Sequence, residues 1–282
     1  MAESNGNAYV SLTNDLLFHM VFTRNAEALK SLLSTLLNIP EADILRVEVL
    51  NPMQYSEVVD SKLTVLDLKV HMNDNTFVHV EMQVRKFEHW TNRTVGYACR
   101  QIADQIHGDY DYSKLEPVIQ ISIMDYSLFP DHKRFFKGYY PQDDEGYPYT
   151  DKLQFFVMDL TQISQASQEQ KDQGLVEWAN AFKATSWEEV NQIQNSGVKE
   201  AAKTMQLIMS NPTEREMIRM RQDAQSDWKT AVNAERLDAL VEAFAGLVRD
   251  GLLTKTEAAK RVNLSEAEFT RRAAAIAGNK SS

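Results

Sequence analysis

Asp67 and Glu81 stand in two short segments, Val65 to Val70 and Val78 to Val84, that alternate apolar and polar residues. Alternation with a period of two predicts a β-strand with one buried face. Between the segments, Asn73-Asp74-Asn75 is turn chemistry, so the pair reads as a hairpin. A turn flanked by Met72 and Thr76 sets Asp67 opposite Glu81 and Lys69 opposite His79. Opposed side chains in a hairpin have Cβ atoms about 5 Å apart, and like charges there are destabilising. A divalent cation held between the carboxylates would turn the repulsion into coordination. The spacing therefore points to metal chemistry.

The same pairing sorts the faces. Leu66, Leu68 and Val70 share one face with Val78, Val80, Met82 and Val84, and that face belongs to the core. Asp67, Lys69, His79, Glu81 and Gln83 share the other, which in an arbitrary antiparallel hairpin is a solvated face. Two features weigh against that plain reading. The strands are unusually apolar around the carboxylates, and the helix expected next, Trp90 to His107, presents Arg93, Tyr97, Arg100 and Gln101 at helical spacing. A carboxylate pair covered by such a helix is partly desolvated and needs a cation or a proton. His19 and His79 could be ligands, but their spacing to other ligands is unmotivated, and lone histidines are usually structural or exposed.

These residues need a scaffold. Asp15 to Phe22 begins a helix after the cap-like Ser11 to Asn14, and Ala26 to Leu37 forms a second with a leucine stripe, ended by Asn38-Ile39-Pro40. Ile44 to Leu50 reads as a first strand stopped near Pro52. Pro117 to Tyr126 is a largely apolar, central strand, and Leu153 to Leu160 another. Helix, three strands, helix and two further strands make an α/β core. Strand signals stop at about Gln162, and helices follow, with a break at Asn211-Pro212. Arg215, Arg219 and Arg221 could meet phosphate, but set among Glu214, Glu216 and Asp223 they read rather as a solvated and internally paired helix face. The division expected is 1–162 as the core, 163–246 as a helical region and 247–282 as a tail.

That tail holds two short helices around the turn Val262-Asn263-Leu264, with seven basic and four acidic residues. Such a helix-turn-helix-like end is a DNA-docking element or, on the plain reading, a capping or dimerisation pair.

The 282 residues carry a net charge of −10, which argues against broad nonspecific affinity for nucleic acid but not against a local basic face. Cys99 is the only cysteine, and Met1 to Asn7 is polar and acidic, so a cytoplasmic protein is expected. No apolar run approaches the ~18 residues of a membrane span.

Asp67, followed after thirteen residues by Glu81-Met82-Gln83, resembles the D…(E/Q)xK signature of the PD-(D/E)XK nuclease superfamily. Within it the chain resembles the recombination-promoting nuclease and transposase family. Further matching stretches are Asn14-Asp15…Phe18…Phe22, Val47 to Pro52, Arg93…Tyr97, Gly108-Asp109-Tyr110…Leu115 to Ile119, Glu177-Trp178…Phe182 and Glu257-Ala258-Ala259…Asn263-Leu264-Ser265. The resemblance implies a restriction-endonuclease-like mixed sheet flanked by helices, followed by an all-helical C-terminal region. It implies metal-dependent cleavage of DNA phosphodiesters, with Asp67 and Glu81 holding Mg²⁺ and Mn²⁺ as a substitute. Gln83 belongs to the implied catalytic set but stands where many members carry lysine. Its amide can position water or phosphate without supplying positive charge. The transition-state cation is thus unassigned, with Lys69 the candidate and Arg93 the runner-up. Asp15 matches an acidic residue of the family's N-terminal motif, or is simply a first-turn acid. With Arg93 and Tyr97 it forms the supporting set. The activity implied is a DNA endonuclease, acting as a homodimer in recombination or mobile-element movement. The reading from another class is a catalytically weak or silent DNA-binding or regulatory protein that keeps the fold.

Overall fold

The computed structural model describes residues 9–51, 67–73, 75–109 and 111–279. Pro52, Val65, Leu66, Asp74 and Tyr110, which carry part of the sequence pattern, lie outside them.

Helix α1 (Asp15–Arg24) is capped by Asn14, whose side chain accepts from Leu17 N. Helix α2 (Ala26–Leu37) is capped by Asn25 and ends at Asn38, whose left-handed backbone Asn tolerates. The sheet strands are β1 (Val47–Val49), β2 (Asp67–Met72), β3 (Thr76–Gln83), β4 (Val118–Met124), β5 (Phe136–Tyr139) and β6 (Leu153–Asp159). Their spatial order is β1-β2-β3-β4-β6-β5. The first three strands are antiparallel neighbours, β3, β4 and β6 run parallel, and β5 returns antiparallel at the far edge. The parallel step from β3 to β4 needs a crossover, which helix α3 (Trp90–Ala103) supplies.

The hairpin register is as expected: Asp67 pairs with Glu81, Lys69 with His79 and Met72 with Thr76. Asn73 takes the positive φ, 52°, that this short turn requires. Strand β5 is an element that the sequence pattern does not announce. It is short, and Gly138 interrupts its side-chain pattern, so it is defined by its ladder with β6.

One sheet face carries Leu68, Val70, Val80, Ile121 and Met158, which share a core with Leu16, Phe18 and Phe22 of α1 and with the leucines of α2. Later helices complete this layer: α4 (Gln168–Asp172), α5 (Leu175–Lys183), α6 (Trp187–Gln192) and α7 (Ser196–Ser210). Trp178 and Phe182 of α5 meet Phe22 and Phe18 at ring separations of 5.7 and 6.0 Å. Helix α7 approaches α2 so closely that a Cβ on Gly197 would lie 2.2 Å from Ser31 Cβ. Gly197→Ala is therefore expected to cost about 1–3 kcal/mol through overpacking, read as a lowered denaturation midpoint. An unchanged midpoint would show that the two helices can part freely.

Helix α8 (Pro212–Arg249) begins after the break at Asn211. Its first charges differ from the solvated face expected of them. Arg221 binds Asp15 through Nε at 2.8 Å, with both side chains about nine-tenths buried, and Glu214 binds Arg24 at 2.9 Å. A local charge pattern cannot reveal partners some two hundred positions away. Packing divides the chain into two units, Met1–Arg221 and Gln222–Ser282. The second contains the end of α8 with helices α9 (Lys255–Arg261) and α10 (Glu266–Asn279).

Candidate active site

The face of the hairpin turned away from the core holds the charged residues. Strand order places Asp67, Glu81 and Ser122 in one row across β2, β3 and β4. The start of α3 is fastened to that row, because the buried indole of Trp90 donates to Ser122 Oγ at 3.1 Å. The helix then runs over the hairpin and encloses a cavity of about 210 Å³. The sheet contributes Asp67, Lys69, His79 and Glu81, while Arg93, Tyr97, Arg100, Gln101 and Asp104 come from the helix and its end.

Glu81 is only 1% exposed, and its Oε2 finds no hydrogen-bond partner among the described residues. Burial first, and the neighbouring Asp67 charge second, push its carboxyl up to about 7, against opposing pulls from Arg93 and Lys69. A buried carboxylate in this state takes up a proton or a cation. Asp67 is more open, and the Lys69 ammonium lies 3.9 Å from its Oδ2. Asp67 and Glu81 offer the hard oxygen donors that a hard divalent ion prefers, and an orphaned buried oxygen for it to satisfy. Among the described residues no group of three or more His, Cys, Asp or Glu side chains gathers to hold a metal. Asp67 and Glu81 are therefore the two carboxylates that could hold an ion there.

Among the described residues Arg93 makes no ion pair with a carboxylate. Its guanidinium lies 5.4, 5.5 and 5.2 Å from the ring centroids of Phe87, Trp90 and Tyr97, and its Nε donates to the Tyr97 hydroxyl at 2.8 Å. Cation–π contacts fix the charge in place yet leave its donors available to an anion. Burial lowers the pKa of His79, which supports a neutral imidazole in the cavity wall.

The two remaining predicted site residues lie elsewhere. Gln83 is buried one same-face position beyond Glu81 and is not part of the cavity lining. Asp15 is engaged by Arg221, and its own Oδ1 accepts from Leu16 N at the helix start.

Two residues act as positioning groups, a role the sequence pattern does not assign to them. Asn51 brackets strand β2, donating to the Asp67 carbonyl at 2.8 Å and accepting from Lys69 N at 2.9 Å. The His19 ring meets the same carbonyl at 3.1 Å. Together they hold the backbone from which Asp67 projects. The signal for Asn51 in the sequence is its place in the family-like stretch Val47 to Pro52.

A family model described as PD-(D/E)XK nuclease family transposase matches residues 12–235. No curated protein and no solved structure matches the chain.

Proposed function

We propose that this chain, which belongs to the PD-(D/E)XK nuclease family transposases, is a divalent-metal-dependent DNA endonuclease of recombination or mobile-element movement. The observation that carries the reading is the Asp67–Glu81 cross-strand pair, facing basic side chains across one cavity. The two carboxylates would hold Mg²⁺, or Mn²⁺ in its place. When bound, the ion supplies charge to polarise the scissile phosphate and to lower the pKa of an attacking water.

The chain's own residues do the rest. Asn51 and His19 hold the Asp67 backbone, while burial keeps Glu81 without a competing donor. Lys69 and Arg93 offer positive charge to the phosphate, with Tyr97 orienting Arg93. Gln83 brings no charge, and Asp15 supports the site at a distance by anchoring Arg221. The acting species on this reading is a homodimer, in which two carboxylate pairs would serve the two strands. The lone Cys99 thiol suits the cytoplasm. Among the described residues no helix is long and apolar enough to cross a membrane.

Purified protein incubated with supercoiled plasmid and Mg²⁺ or Mn²⁺ should give nicked and linear products, and none in EDTA. The neutral Gln83, outside the cavity lining, favours the second reading, a DNA-binding protein without cleavage. Intact plasmid in both metals at protein excess would establish it.

The cation assignment has its own test. Lys69→Met is expected to slow cleavage about a hundredfold, the worth of one preorganised charge contact at the transition state. If Lys69→Met cleaves at the wild-type rate and Arg93→Met does not, the charge comes from α3.

A further inference from the structure

The family match ends at residue 235, before the helix pair α9–α10. We infer that this pair is a helix-turn-helix module that reads duplex DNA, with α10 as the groove helix and Lys255 and Lys260 on flanking phosphates.

The turn is closed by its backbone. Asn263 takes a φ of 57°, Asn263 N donates to Lys260 O at 3.2 Å, and Leu264 N to Ala259 O at 2.9 Å. This is a Schellman stop, with Asn at the left-handed position. The helices start equally firmly. Thr254 and Glu257 form a capping box for α9, and Ser265 Oγ accepts from Glu268 N at 3.2 Å for α10. Thr256 clips the two together by donating to Glu266 Oε2 at 2.6 Å. Ala258, Ala259, Val262 and Phe269 are buried with Val241 of α8. Two helices joined by a short turn and backed by a third are the parts of a helix-turn-helix, in which the second helix enters the major groove.

The surface left over has the chemistry for that role. Ala267, Thr270, Arg271 and Ala274 are exposed at positions i, i+3, i+4 and i+7 of α10. Arginine suits the guanine edge, and threonine and alanine suit the thymine methyl. Three of the segment's four acids are engaged within the module, Glu257 in its cap, Glu266 in the clip and Glu268 with Arg271, while Asp238 of α8 takes Arg272. Lys255 and Lys260 are exposed and make no ion pair among the described residues. A segment with seven basic and four acidic residues, on a chain of net charge −10, concentrates the positive charge a phosphate backbone needs.

The inference deepens the DNA-directed reading of the site but is tested without cleavage. Full-length protein in EDTA is used to select bound sequences from a random duplex pool, and affinities are then measured by fluorescence anisotropy across salt concentrations. Wild type should enrich a short motif. Arg271→Ala should erase the preference at one or more motif positions while keeping affinity for random duplex within about threefold. The double variant Lys255→Glu/Lys260→Glu should weaken binding to every duplex at least tenfold and make the salt slope shallower by about 1.8. Circular dichroism should show unchanged helicity in both variants.

Absence of any motif, together with wild-type affinity in the double variant, would overturn the inference. So would variants that bind DNA normally but change from dimer to monomer in light scattering, since the pair is then an interface between copies. Loss of plasmid cleavage alone would sink the endonuclease reading and leave this one standing. Loss of the motif with cleavage intact would do the reverse.

Discussion

Asp67→Asn and Glu81→Gln are each expected to reduce plasmid cleavage by about a thousandfold or more, because on the proposed reading each removes half of the protein's ligands to the ion. Metal-assisted charge stabilisation is worth several kcal/mol, and about 4 kcal/mol corresponds to a thousandfold in rate. Both changes keep the side-chain shape, and neither residue lies in the apolar core that α1 and α2 form with the sheet. The loss is therefore expected in variants that stay folded and still bind duplex in EDTA. Calorimetric titration with Mn²⁺ should show binding to wild type and a loss of affinity in both variants. If either variant cleaves within tenfold of wild type, the pair is not the metal site.

Glu81→Gln has a second consequence, opposite in sign for stability. The folded protein holds the Glu81 carboxyl at about 7, above its ordinary 4.5. Between those values the folded state binds more protons than the unfolded state, so stability falls as pH rises through the window. At 1.36 kcal/mol per unit, the shift amounts to about 3 kcal/mol lost by pH 8. Glutamine carries no ionisable proton and removes this slope. In EDTA the variant should thus match wild type near pH 4.5 and exceed it by up to about 3 kcal/mol at pH 8. Adding Mg²⁺ at pH 8 should raise the melting temperature of wild type but not of the variant, since a ligand that binds the folded state stabilises it by mass action. Thermal melts across pH decide the matter. Parallel curves for the two proteins would mean that Glu81 is ionised at ordinary pH and already satisfied by its surroundings.

The carboxylate pair is legible in the sequence because its placement is a local matter. A period of two assigns faces, and a short turn rich in Asn leaves one register, so Asp67 opposite Glu81 follows from residues close in sequence. The same holds for the helix over the site. Trp90, Arg93, Tyr97, Arg100 and Gln101 recur at helical spacing, and a crossover helix between parallel strands has to lie on a sheet face. The turn at Val262-Asn263-Leu264 is legible for a similar reason, since the left-handed residue that stops a helix is chosen from very few types.

What tertiary structure alone decides involves partners far apart in the chain. Ser122 becomes the anchor of α3 only because β4 lies beside β3. Arg221 changes from one charge among many to the buried partner of Asp15 only because α8 starts against α1. The strand Phe136–Tyr139 exists through its ladder to β6, with little pattern of its own. The electrostatics of the site belong to the same class. Glu81 in an isolated hairpin would titrate as an ordinary carboxyl. Its raised pKa comes from desolvation, and desolvation is a property of everything packed around a residue, which no spacing along one segment records.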